Sequence, residues 1–216
     1  MPAEYYNNIL YPLQDKAFPL FNSTPFYLTG GTALSRGYFN HRYSDDLDYF
    51  VNDHPDFLRI SERQIEKLET LFTEIKVALK DINFCRVFVA EEKLKIEMVN
   101  DVPSHIGKLA NHPVLGLIDS KENILANKLT AVVDRTLPKD IVDMYFLLKD
   151  GLSIKNALTD AESKAAGVSP LLIAKIVAEF DYPIIDNEIK WTVPVSSETI
   201  RSYMNNISLS IVEGRL

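Results

Sequence analysis

One cysteine, four histidines and no long apolar run limit what this 216-residue chain can do. Cys85 alone forms no internal disulfide, and a fixed cysteine-based zinc site needs more ligands than the chain supplies. The histidines lie scattered at 41, 54, 105 and 112, a poor template for the His-Asp clusters of metal-dependent phosphohydrolases. The densest apolar runs, residues 114–118 and 171–173, fall far short of a membrane span. The opening residues have neither the basic nor the apolar region of a secretory signal, so a cytoplasmic protein with no membrane partner is expected. Positive charge is also scarce. Lys plus Arg number 23 against 30 Asp plus Glu, a formal net charge of −7. That balance disfavours a surface gripping nucleic acid all over, and leaves room for a local basic groove. With 46% hydrophobic and 25% charged residues and no repeat, what remains is an ordinary globular chain.

The hydrophobic pattern changes along the chain. Residues 4–21 read as a helix ending near Pro19, and residues 26–29 as a short strand running into Gly30-Gly31. A helix is expected over 32–39 and a second strand over 47–51, with Asp46, Asp48 and Phe50 on one face. Ile65, Leu68, Leu71, Phe72, Ile75 and Leu79 recur at spacings of three and four, which predicts one long amphipathic helix from Pro55 to Leu79. Strands at 84–89 and 93–99 follow, joined by a hairpin at 90–92; Leu94, Ile96 and Met98 point one way, Lys95 and Glu97 the other. Residues 101–113 read as a loop. Beyond about residue 117 helices dominate: 119–133 behind an Asp119-x-x-Glu122 capping box, then 138–148, 153–166 and 170–180. A strand at 189–195 and a closing helix at 197–212 complete the reading. The expected fold is α/β (α+β), a small mixed sheet with flanking helices followed by a mainly helical C-terminal half. The expected domains are residues 1–116 and 117–216.

Residues 26–50, FYLTGGTALSRGYFNHRYSDDLDYF, carry the chemistry. Glycines at a strand-to-helix turn let phosphates approach the backbone, where unpaired N–H groups await an anion. Thr32 adds a hydroxyl there. Two carboxylates at i and i+2 on a strand, Asp46 and Asp48, face the same side about 7 Å apart. That spacing suits a pair of Mg²⁺ ions about 3.5–4 Å apart, the arrangement for in-line phosphoryl displacement. Hard oxygen ligands favour Mg²⁺ over zinc.

The stretch resembles the signature of the DNA polymerase β-like nucleotidyltransferase superfamily: Gly with Gly or Ser, a short helix, then Asp-x-Asp. Gly30-Gly31-Thr32-Ala33-Leu34, followed by His41-Arg42-x-Ser44-x-Asp46-Leu47-Asp48-x-Phe50, is similar to the AbiEii-type branch. That branch includes toxins of type IV toxin–antitoxin systems. A later helical signature matches Asn127-Lys128-Leu129, Arg135 and Lys139-Asp140-x-x-Asp143, with Lys139 where the branch commonly shows Arg.

The resemblance implies Mg²⁺-dependent transfer of a nucleoside monophosphate from a nucleoside triphosphate (NTP) to an acceptor hydroxyl, with pyrophosphate released. It implies metal ligation by Asp46, Asp48 and Glu97, the last standing where the family usually has Asp. Gly30, Gly31, Thr32, Arg42, Lys128, Arg135 and Asp140 would bind the nucleotide. Asp46, Asp48, Glu97, Lys128 and Asp143 would form the catalytic group, with Asp48 or Glu97 taking the acceptor's proton. The acceptor is left open between a tRNA 3′ end and a small hydroxylated molecule of the antibiotic kind. A cognate antitoxin is the implied protein partner. A non-catalytic nucleotide-binding or partner module is the alternative.

Overall fold

Alternating apolar and polar residues build the centre of one mixed sheet in the computed structural model, which describes residues 2–215. Its strands are β1 (Tyr27–Thr29), β2 (Leu47–Asn52), β3 (Ile75–Lys80), β4 (Phe84–Val89), β5 (Leu94–Asp101), β6 (Ala110–His112) and β7 (Gly116–Ile118). They lie in the order β3-β4-β5-β2-β1-β7-β6. β2 sits at the middle, parallel to β5 and antiparallel to β1, and β1 is parallel to β7. Leu47, Tyr49 and Val51 on β2 and Leu94, Ile96 and Met98 on β5 are buried on one face. Their polar neighbours Asp48, Lys95 and Glu97 are half-buried on the other. The helix Phe57–Leu71 packs on β4 and on the helix Tyr11–Phe21, with Phe57, Ile65 and Leu68 inward.

The N-terminal helical run continues from Pro2–Tyr5 through a π-wound turn, Tyr6–Leu10, to Tyr11–Phe21, past Pro19. Other expectations need correction. The long helix over Pro55–Leu79 does not form: it ends at Leu71, and Ile75–Lys80 is an edge strand paired with β4. The sequence Ile-Lys-Val-Ala-Leu-Lys alternates as well as it repeats at helical spacing, and β4 offers a ladder of hydrogen bonds that settles the ambiguity. Residues 101–113 are not all loop, since β6 forms a hairpin with β7. Residues 189–195 form no strand; the short helix Ile184–Glu188 precedes them.

The chain divides into two compact units between Ser120 and Lys121. The division falls after residue 116 because β7 pairs with β1 and holds residues 116–118 in the first unit's sheet. The second unit holds the helices Lys121–Asp134, Pro138–Lys149, Ile154–Lys164, Pro170–Glu179, Ile184–Glu188 and Ser197–Val212. Ser153, Ser169 and Ser196 cap three of them by accepting from the backbone N–H three residues on. Its core gathers Ile124, Leu125, Leu129, Ile141, Met144, Tyr145, Ile173, Val177, Ile200 and Met204. Among the described residues no helix is long and apolar enough to cross a membrane.

Leu68 and Leu79 separate the two readings of residues 72–80. Leu68 is fully buried, whereas Leu79 on the edge strand is 49% exposed. Leu68→Ala should cost about 2–5 kcal/mol of unfolding free energy. Leu79→Ala should stay within about 0.5 kcal/mol of the parent by urea denaturation. A continued amphipathic helix would make both costly.

Candidate active site

Sheet register decides which side chains meet in the first unit. Asp48 lies opposite Thr29 on β1 and opposite Glu97 on β5, so these three share one face. Asp46, one residue before β2, falls on that face too, beside Lys95. Gly30 directly follows Thr29 and has φ +66°, a backbone conformation costly for residues with a Cβ. A Cβ on Gly30 would stand 2.7 Å from Asp48 Oδ2. The glycine is therefore required twice, by the turn and by the carboxylate packed against it.

Gly31 serves a second neighbour. A Cβ there would meet Arg42 Nη2 at 2.6 Å and Ser44 Oγ at 2.9 Å. Arg42 is buried, and its Nη1 donates to the Tyr43 carbonyl at 3.0 Å. The Thr32 hydroxyl is buried, donates to the Asp46 carbonyl at 2.5 Å and lies 2.9 Å from the Ser44 hydroxyl. Its observed bonds thus fix the loop that carries Asp46.

The N-terminal helix clamps the same loop. Gln14, wholly buried, donates from Nε2 to the carbonyls of Ser44 (3.1 Å) and Asp45 (3.0 Å). The Tyr6 hydroxyl donates to the Asp45 carboxylate, and its ring stacks on Tyr43 at 4.4 Å. Burial, then the Asp45 carboxylate, pushes the Tyr6 phenol well above its ordinary pKa, so it stays a donor. On the other flank the Thr29 hydroxyl donates to Asp119 Oδ2 at 2.5 Å, and His105 Nε2 lies 3.0 Å from Asp119 Oδ1. Asp119 is fully buried; its helix begins two residues later, at Lys121.

Two cations enter the carboxylate face. Lys95 Nζ stands 3.0 Å from Asp46 Oδ2 and 3.3 Å from Glu97 Oε1. Arg86 Nε donates to Glu97 Oε1 at 2.6 Å. Burial opposes ionisation of Glu97, but Lys95 and Arg86 outweigh it and hold the carboxyl below its ordinary pKa. For Lys95, burial is likewise outweighed, by Asp46, Glu97 and Asp48, and its pKa is raised. Among the described residues no three His, Cys, Asp or Glu side chains converge on a metal position. Asp46 and Asp48 supply hard oxygen donors on one face, and the Gly30 turn keeps a side chain away from Asp48. The pair thus fits one hard divalent cation. Glu97 shares the face and directs one oxygen, Oε1, at both Arg86 and Lys95.

The second unit holds its own charged cluster. Lys128 Nζ stands 2.7 Å from Asp140 Oδ1 and 2.6 Å from Asp143 Oδ2, with both carboxylates fully buried. Asp140 and Asp143 sit three apart on the helix Pro138–Lys149 and present one face. Arg135 Nε reaches Asp140 Oδ2 at 3.1 Å from a half-exposed position. Burial alone would raise the Asp140 pKa, but Lys128 and Arg135 hold it below the carboxylate norm. The structure therefore groups Gly30, Gly31, Thr32, Arg42, Asp46, Asp48 and Glu97 in the first unit. It groups Lys128, Arg135, Asp140 and Asp143 in the second.

Sequence reasoning missed Lys95, Arg86, Gln14 and Tyr6. Lys95 carries a readable signal, because it stands two residues before Glu97 on the same strand face. Arg86 pairs with Glu97 through the β4–β5 register, visible only once the hairpin is set. Gln14 and Tyr6 act across sequence gaps of 30 and more residues, which local pattern does not encode.

A mixed sheet whose Gly-Gly turn packs against an Asp-x-Asp strand defines a nucleotidyltransferase-type domain. The family model described as the nucleotidyl transferase AbiEii toxin of type IV toxin–antitoxin systems matches residues 19–192. The chain belongs to that family and is a nucleotidyltransferase. JHP933 from Helicobacter pylori is similar in fold, with a TM-score of 0.63 at 20% identity, covering 95% of this chain and 91% of that one. MenT4, a nucleotidyltransferase toxin from Mycobacterium tuberculosis, also gives 0.63, at 16% identity, covering 95% and 83%. No curated protein matches the chain.

The Lys128 cluster generates an acid-side prediction. The Asp140 pKa is lower folded than unfolded, so its stabilisation is complete above the ordinary carboxylate range and fades as pH falls through the folded value. Asp140→Asn should cost about 1–3 kcal/mol at neutral pH. In urea titrations the gap between parent and variant should narrow below about pH 4. A gap that stays constant into acid would contradict the ion-pair account.

Proposed function

We propose that this nucleotidyltransferase moves a nucleoside monophosphate from an NTP to a hydroxyl at the 3′ end of a tRNA. The observation that carries the site assignment is the Asp48 carboxylate packed on Gly30, with Asp46 on the same sheet face. Backbone N–H groups of the Gly30-Gly31 turn, with Asp48 and Arg42 packed beside them, would meet the triphosphate. Thr32, Gln14 and Tyr6 are positioning residues that fix the loop bearing Asp46. Arg42 supports the same turn from its buried place beside Gly31.

Asp46 and Asp48 would hold Mg²⁺, which supplies a lowered pKa for the acceptor hydroxyl and offsets charge on the phosphates. The acceptor oxygen bonds to the α-phosphorus as the bond to the bridging oxygen of the β-phosphate breaks. Pyrophosphate leaves, and a carboxylate of the face takes the hydroxyl proton. Lys128 is assigned to phosphate binding by the family signature, with Asp140 and Asp143 orienting its ammonium and Arg135 supporting Asp140.

An RNA acceptor is supported by the family's toxin class and by the far side of the carboxylate face. There Arg86 lies 5.2 Å over the Phe84 ring, and Phe88 is the cross-strand neighbour of Lys95. Cation and aromatic rings together suit a single-stranded end. The same family class supports a cognate antitoxin as partner.

With α-labelled NTPs, Mg²⁺ and total RNA, label should enter the tRNA pool with matching pyrophosphate release. The Asp46→Asn, Asp48→Asn double variant should lower both by more than about a hundredfold. Undiminished turnover in that variant overturns the site, and label confined to small molecules overturns the acceptor.

A further inference from the structure

We infer that Lys95 is a resident cation of the carboxylate face, standing in for the second divalent ion, so that the enzyme works with one. This rests on the reading of Asp46 and Asp48 as metal ligands. Lys95 Nζ occupies the space between Asp46 and Glu97, at 3.0 Å and 3.3 Å. An ion bridging those two carboxylates would need the same space, with oxygen ligands at about 2.0–2.1 Å. The lysine is placed there by the ladder, since Leu47 pairs with Ile96 and the neighbouring Asp46 therefore meets Lys95. Its side chain is only 26% exposed, so the strand holds the charge in the face. Arg86 Nε donates at 2.6 Å to the same Glu97 Oε1 that faces Lys95, so two cations share that oxygen.

Charge counting agrees. Three carboxylates with two Mg²⁺ present a net +1 to the incoming triphosphate. Asp46, Asp48 and Glu97 with Lys95, Arg86 and one Mg²⁺ present the same +1. A second Mg²⁺ would bring the face to +3, with Lys95 and the ion competing for one pair of oxygens at like-charge contact. Lys95 and Arg86 also remain in place when the nucleotide leaves, which a nucleotide-borne ion does not.

The test is Mn²⁺ titration of the full chain followed by electron paramagnetic resonance. It is run without nucleotide and with an NTP analogue whose α–β bridge is a methylene. The unmodified chain should bind one Mn²⁺ per chain in both states, with the spectrum of an isolated ion. Lys95→Met should bind two with the analogue and show the spin coupling of a close pair. Lys95→Gln, which keeps a polar head, should make the same gain and covers the case in which Met does not fold. Two coupled ions in the unmodified chain overturn the inference while leaving Asp46 and Asp48 as ligands. One ion in both folded variants shows that Lys95 does not exclude the second, and also overturns it. No Mn²⁺ on the nucleotide-free chain defeats the metal reading of Asp46 and Asp48, and the role of Lys95 with it.

Discussion

The register of the central strand is the constraint on which the site depends. β2 is flanked by β1 and β5, and its pairing sets Asp48 between Thr29 and Glu97. A slip of one residue would turn every polar side chain of β2 into the core and bring Leu47, Tyr49 and Val51 out. The burial of those three residues therefore fixes the position of the carboxylates. Apolar packing on one face of the sheet specifies the chemistry on the other. The Gly30 turn can then bring bare backbone against Asp48, because the antiparallel β1–β2 pair ends at that point.

Beyond the strand, the loop before Asp46 has no ladder to hold it, and side chains take over. Thr32, Gln14, Tyr6 and Tyr11 together engage Ser44, Asp45 and Asp46 through one short stretch of chain. Most of these groups are buried, so each unmade bond would leave a desolvated donor or acceptor. This gives the N-terminal helix a role that its aromatic composition conceals. Its tyrosines Tyr5, Tyr6 and Tyr11 pack edge to face, and Tyr6 and Tyr11 also hydrogen-bond to the loop. The second unit solves a related problem differently. A lysine buried among helices is tolerable only because Asp140 and Asp143 both meet it.

Much of this was legible in the residues because the informative signals are local. Gly30-Gly31 followed by Asp46-x-Asp48 combines a turn requirement with a strand period, and both survive in the structure. The alternation at 94–99 likewise placed Glu97 opposite the core. The helix over 55–79 failed where two periodicities overlap: Ile75 and Leu79 satisfy helical spacing, and the edge of β4 decided otherwise. The sequence marks Thr32 as a hydroxyl for phosphate; its bonds to Asp46 and Ser44 are invisible there, because a bond across 14 residues leaves no local trace. Lys95 was visible as an alternating charge. What its charge does became visible only when the β2–β5 register set it beside Asp46. The net charge of −7 is equally uninformative about this face, where two cations temper three carboxylates.

The central claim is that nucleotide phosphates and a divalent ion meet at the turn between Gly30 and Asp48. Crystals grown with Mn²⁺ and a non-hydrolysable NTP analogue test it through the anomalous signal of manganese. The account predicts a peak within bonding distance of Asp46 and Asp48, with the triphosphate over the Gly30-Gly31 backbone. A peak elsewhere, with the carboxylate face unliganded and the analogue bound away from the turn, would contradict it.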